Sequence, residues 1–357
     1  MRFFLVLTFL GSTVVFSADT AKQIYEALEA TRGKGIEAKR FFRCVDPDGK
    51  PVPGAHVSSG LYPDGSFENA IIHKRFTDTN GMFVVEGRTD GEISFTVNKE
   101  GYYETHQQIR LSRDPNVAIR NGRWQPYGIT NTVIVKDVRN PIPMYVSPAG
   151  NECTFPKLDT PIGFDLEKND WVAPYGRGEI ADFEMALCFS GTRPPSVSRQ
   201  GFEKEIGPSS GVPTTWSNET RLVVSFIRPF DGYYRAKKEP WSLLACSYQA
   251  DTNAAFQPKI EFFWTNNNYL KRHSETLKDD EYIVFRTRSR MDGNGDLKEA
   301  RYGKIIGIPN FRVWPGQKGV TWLLYYFNPN PNDTNLEFDA KKSLLESDKN
   351  RGFIRMP

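Results

Sequence analysis

The sequence is short of the residues that make chemistry easy to recognise. It holds four cysteines and four histidines in 357 residues. None of Cys44, Cys153, Cys188 and Cys246 falls in a C-x-x-C pair, which excludes a zinc ribbon and a thioredoxin-type motif. The histidines, His56, His73, His106 and His273, show neither i,i+4 nor C-x-x-H spacing, so they spell out no zinc ligand set. Excess charge is missing too: 46 Lys and Arg stand against 43 Asp and Glu, a net +3. Such balance gives no pull toward nucleic acid or an anionic membrane, and no nucleic-acid partner is expected. Beyond the first eighteen residues no apolar run is long enough to cross a bilayer, so no transmembrane anchor is expected.

Aromatic residues are plentiful, at 13%, which favours β-structure. The chain opens with MRFFLVLTFLGSTVVFSA. Arg2, the short apolar run from Phe3 to Leu10, and the small residues before Ala18 predict a secretory signal over 1–18. This places the chain outside the cytoplasm, in the periplasm, at the cell surface or in the medium. In such a compartment four cysteines allow two disulfides in three connectivities. Cys153 and Cys188, which flank residues 163–183, form the candidate pair; Cys44 alternates with Phe42 and reads as a buried small hydrophobe. Residues 19–38 carry the only helical period, with Ile24 and Leu28 on one face. From residue 39 onward strands and turns alternate: KRFFRCVD, the turn PDGKPVPG, the strand AHVSSGLY, and a hairpin around Asp78 and Asn80–Gly81.

VDPDGKPVPGAHV, TDTNGMFVVEG and EISFTVNKEGYYE together resemble the carboxypeptidase-regulatory-like domain. Asp46, Gly49, Pro51, Gly54, Ala55, Val57, Thr77, Asp78, Gly81, Phe83, Gly101 and Tyr102 carry the likeness, which spans about 39–138. The resemblance implies a small transthyretin-like β-sandwich with an accessory or adhesive role and no catalytic residues. Pro141, Pro143 and Pro148 then mark a linker. The remainder, 139–357, is again β-textured and reads as a larger β-sandwich or jelly-roll-like domain, similar to C-terminal regions of exported bacterial proteins that follow such a module. The fold expected is therefore all-β throughout.

Several stretches imitate chemical motifs. GPSSG at 207–211 fits the Ser hydrolase pattern around Ser209, but no strand feeds a helix there. GRGEIA at 176–181 imitates a dinucleotide fingerprint without the preceding strand. Asp292, Asn294 and Asp296 alternate as in a calcium loop, yet Leu297 replaces the required Gly, so a hairpin tip is preferred, with a surface Ca²⁺ as the alternative and no other cofactor expected. Asn218 and Asn332 fit the glycosylation acceptor pattern. The richest stretch is GFDLEKNDWVAPYGRGEIADF, 163–183, with five carboxylates. Alternation predicts Phe164, Leu166, Phe183, Met185 and Leu187 inward, and Asp165, Glu167, Asp182 and Glu184 outward. Asp170, Trp171, Tyr175, Arg177 and Glu179 remain on the connecting loop as the candidate ligand site, their aromatics suited to stacking on sugar. The preferred function is a non-catalytic envelope or extracellular binding or adhesion protein, with a glycan or a protein as partner. The alternatives are a carbohydrate-active hydrolase using two carboxylates of the second domain, and a structural partner in an envelope assembly.

Overall fold

The computed structural model describes residues 18–111, 119–147, 152–191, 217–239, 241–267, 271–273, 276–313 and 319–345. The expected signal segment up to residue 17 and the Ser209 motif lie outside the described residues. Among the described residues the chain is all-β apart from one helix, and it forms two compact units, Met1–Arg139 with Pro240–Ala245, and Asn140–Glu239 with Cys246–Pro357. This corrects the expected division: 139–357 is not one block, because Pro240–Ala245 belongs with the first unit.

The first unit starts with helix α1 (Ala18–Ala30), which buries Ile24 and rests Ala27 and Leu28 on the core. Two sheets follow. One contains β1 (Ile36–Val45), β4 (Met82–Thr89), β7 (Ile119–Arg120), β8 (Arg123–Trp124) and β9 (Ile129–Ile134); the other runs β3 (Ile71–Phe76), β2 (His56–Leu61), β5 (Glu92–Asn98), β6 (Thr105–Arg110). Their inward rows, Phe42, Val57, Phe83, Val85, Ile93, Phe95, Val97 and Val133 among them, make one apolar core. Phe42 packs 5.0 Å from Phe83 and 4.6 Å from Phe95, and each buried ring contributes roughly 1.5–3 kcal/mol. The turns are closed by aspartates. Asp46 Oδ1 accepts the amides of Asp48 (3.0 Å) and Lys50 (2.8 Å), and Asp78 Oδ1 those of Asn80 (2.9 Å) and Met82 (2.8 Å). Gly81 has φ +74°, and a Cβ there would stand 2.4 Å from the Cys44 carbonyl, so this turn admits only glycine; it is not the expected hairpin, because β3 pairs with β2 and β4 with β1 in the other sheet. At β6, His106 N–H donates to Trp241 O and Leu243 N–H donates to Glu104 O, both at 2.8 Å, so the segment Trp241–Leu243 covers the start of that sheet edge.

The second unit is a sandwich of two six-stranded sheets with a three-stranded sheet beside them. The first runs β16 (Gly232–Lys237), β19 (Glu281–Met291), β20 (Leu297–Ile305), β23 (Tyr325–Phe327), β10 (Ile142–Val146), β24 (Phe338–Ser343). The second runs β13 (Asp170–Trp171), β12 (Ile162–Asp165), β14 (Phe183–Gly191), β15 (Ser217–Ser225), β17 (Lys259–Asn267), β18 (Lys271–His273). The third comprises β11 (Cys153–Phe155), β22 (Gly319–Trp322) and β21 (Asn310–Val313). Phe164, Phe183, Leu222, Phe262, Phe285 and Phe327, from both large sheets, meet in one core. A smaller cluster of Met144, Val146, Tyr326 and Phe338 packs together on β10, β23 and β24. None of the four cysteines forms a disulfide, so Cys153 and Cys188 do not pair. Among the described residues no helix is long and apolar enough to cross a membrane.

Candidate functional site

The 163–183 stretch folds inward further than alternation predicts. Phe164, Leu166, Phe183, Met185 and Leu187 are buried as expected, but so are Asp165 and Asp182, which were expected to face out. The reason is that the outer side of β12 is covered by its own connection. Val172 and Gly178 form a bridge over it, and a Cβ on Gly178 would sit 2.8 Å from both Asp165 Cβ and the Trp171 carbonyl. A Cβ on Gly176 would sit 2.5 Å from Asp170 Oδ1. The Gly-Arg-Gly that imitates a phosphate loop is thus a close-packing device.

Asp165 Oδ2 accepts the amides of Glu179 (2.9 Å) and Ile180 (3.1 Å), and its Oδ1 accepts those of Glu167 (2.9 Å) and Lys168 (3.3 Å). Arg288 closes the set from β19, where it sits at φ +54° in an irregular stretch of the β19–β20 ladder. Its Nε and Nη2 bind Asp182 in bidentate fashion at 2.8 and 3.0 Å, Nη2 lies 3.4 Å from Asp165, and Nη1 donates to Glu167. Arg301 Nη1 donates to the same Glu167 oxygen at 2.8 Å. Burial pushes the Asp182 carboxyl above its ordinary value, against the pull of Arg288. Burial likewise raises neighbouring Asp231, whose Oδ1 accepts the Ser289 amide at 2.9 Å. These carboxylates are fastened to a guanidinium and to backbone amides, an arrangement that locks the connection onto the sandwich.

The five loop residues do not form a common face. Trp171 is 5% exposed, packs on Phe155 and Phe164, and its indole N–H donates to Thr154 O at 2.8 Å. Asp170 caps the turn, accepting the Trp171 amide at 2.8 Å and the Arg177 amide at 3.0 Å. Arg177 pairs with Asp170 at 3.2 Å and Glu179 approaches Lys168 at 3.7 Å. Of the two aromatics only Tyr175 is exposed. The sugar-stacking reading of this loop is therefore corrected: its tryptophan is core.

The other sequence candidates also prove to be framework. Asp292 Oδ1 accepts the amides of Asn294 (2.8 Å) and Asp296 (3.0 Å), closing the β19–β20 hairpin. Among the described residues no group of three or more His, Cys, Asp and Glu side chains is placed to hold a metal. His56 and His73 belong to the paired strands β2 and β3, but the register sets His56 opposite Phe76 and His73 opposite Ser59, on opposite faces. Asn218 is buried in β15, and Asn332 holds Ala300 N and Lys298 O through its side chain.

What sequence reading missed is the open apolar edge of β3. It ends its sheet and, among the described residues, pairs only with β2. Its residues Ile71 (44%), Ile72 (54%) and Phe76 (68%) are exposed, as is Phe67 (75%) in the preceding loop. Adjacent isoleucines at 71 and 72 put an apolar side chain on both faces of the strand, and that break in alternation was the available signal. Residues 69–77 carry Lys74 and Arg75 with no acidic residue. An open edge with apolar side chains is a template for another strand.

No family model matches the chain, and no curated protein matches it. Solved structures give partial likenesses. A 3-chlorocatechol 1,2-dioxygenase from Rhodococcus opacus 1CP is 15% identical over 29% of this chain and 61% of its own, with a TM-score of 0.25. The dioxygenase domain of a dioxygenase carbohydrate-binding protein fusion from Streptomyces sp. SirexAA-E is 15% identical over 28% and 80%, at 0.22. The C-terminal domain of a shaft pilin from Lactobacillus rhamnosus GG is 12% identical over 29% and 98%, at 0.19. Likenesses of this size carry no functional argument.

Proposed function

We propose that this chain is an exported, non-catalytic binding protein of the periplasm, cell surface or medium, and that it takes an extended segment of a partner protein along β3. The exposed apolar edge of β3 is the observation that carries this reading. Strand addition uses main-chain hydrogen bonds for affinity and alternate side chains for selectivity. Lys74, exposed on the same face as Ile72 and Phe76, selects an acidic partner strand, while Arg75 is held to Val84 O. The strand also disfavours a second copy of this chain, because two antiparallel β3 strands offer each other basic side chains and no acidic one. The N-terminal signal pattern supports export, and the regulatory-like resemblance of 39–138 supports an accessory module. The engagement of Asp165, Glu167 and Asp182 by Arg288 favours this over the hydrolase alternative.

The test is fluorescence anisotropy with labelled peptides of about ten residues, one strand length, alternating Val or Ile with Glu. The intact chain binds them, and the double variant Ile72→Lys, Phe76→Lys weakens binding at least about tenfold, or ~1.4 kcal/mol. Equal binding by the variant, or no binding of such peptides by the wild type, sinks the proposal. So does binding on a glycan array that the double variant leaves unchanged.

A further inference from the structure

Lys304 is 1% exposed on β20. Its Nζ donates to Leu336 O at 2.8 Å and to Cys246 Sγ at 2.9 Å, and lies 4.5 Å above the Tyr326 ring. Cys246 is itself 1% exposed. It lies outside the named strands, in a segment held to Leu336 by the Leu336 N–H to Tyr248 O bond of 2.8 Å. A thiol sulfur and an amine nitrogen are thus held in contact inside the core.

We propose that Cys246 and Lys304 are a covalent modification site, at which an oxidant of the peroxide class joins Sγ to Nζ through one oxygen atom. The first peroxide converts the thiol to a sulfenic acid and leaves as water. In the second step the sulfenic O–H and one N–H are lost, an O–N bond forms, and the second peroxide accepts two electrons and becomes two waters. Thiol plus amine plus two peroxides therefore gives the S–O–NH link plus three waters, with four electrons passing from sulfur and nitrogen to the peroxides. The remaining N–H continues to donate to Leu336 O. A direct S–N bond demands a much shorter separation and pulls Nζ off that carbonyl, whereas an interposed oxygen spans the present gap with little movement. The oxidant is small and uncharged.

The experiment treats the intact chain with hydrogen peroxide, quenches with catalase, and reads intact mass and proteolytic peptides. The expected product is heavier by about 14 Da, one oxygen gained and two hydrogens lost, reverts with dithiothreitol, and joins the peptides holding residues 246 and 304. Lys304→Arg abolishes this product, and Cys246 then gains mass in steps of about 16 Da. The wild-type peptide map decides the matter even if that variant misfolds. The proposal is overturned by Cys246 oxidised singly in the wild type, by a joined pair about 2 Da lighter, which contains no oxygen, or by Cys246 unmodified when Cys153 and Cys188 are fully oxidised.

Discussion

The two sandwiches are built alike and filled differently. The first unit's core is a set of apolar rows around Phe42, Phe83 and Phe95, and its buried Thr77 hydroxyl bonds only to backbone, donating to Val52 O at 2.7 Å and accepting from Ala55 N at 2.9 Å. The second unit gathers the carboxylates Asp165, Asp182 and Asp231 around buried Arg288 beside its core, where the first unit buries the basic side chains Arg40 and Lys136. In the first unit β4 passes to β5 through two residues, and aspartates close the turns at the surface. In the second, the run from β12 to β14 takes in seventeen residues, 166–182, and a connection of that length needs a fastening of its own. Asp165 and Asp182 are buried here in fastening that long connection.

The largest expected effect comes from breaking that fastening. Arg288→Met leaves Asp165 and Asp182 buried without their guanidinium, and costs the second unit about 3–5 kcal/mol in urea unfolding; a loss under about 1 kcal/mol denies the lock its role. Phe42→Ala is the matching change in the first unit, and costs about 3–5 kcal/mol by the same measurement.

A smaller effect separates the two through pH. Burial raises the Asp231 pKa, so its contribution is complete below the ordinary carboxylate value, near about 4, and is lost as pH rises through the raised value. Asp231→Asn keeps the oxygen that accepts Ser289 N–H and removes the titration, so the wild-type decline in urea midpoint over this range flattens in the variant. Parallel curves for the two proteins contradict the assignment. The smallest effect belongs to β3: Ile72→Lys with Phe76→Lys changes stability by no more than about 0.5 kcal/mol, because neither residue is in the core. A larger loss makes the edge part of the fold and not a surface for a partner.

Much of this was legible. The aspartate turns, the β19–β20 hairpin and the inward set Phe164, Phe183, Met185 and Leu187 follow from turn chemistry and period-two alternation. Asp165 and Asp182 escaped, because alternation assumes that the second face of a strand meets water, and here a Gly-Arg-Gly segment folds over it. Trp171 escaped for the same reason. Arg288 was invisible because its partners lie more than a hundred positions away in sequence. Spacing reports nothing across that gap.

The segment Trp241–Leu243 has a consequence for synthesis. A ribosome releases β1 to β9 long before the residues that cover the start of β6. Until Leu243 emerges, the nascent first unit carries bare strand at both ends of its four-stranded sheet, while the early strands of the second unit are being made beside it. Folding of the front of this molecule is finished only by its back half, and any shortened chain that stops near Arg139 inherits the unfinished edge.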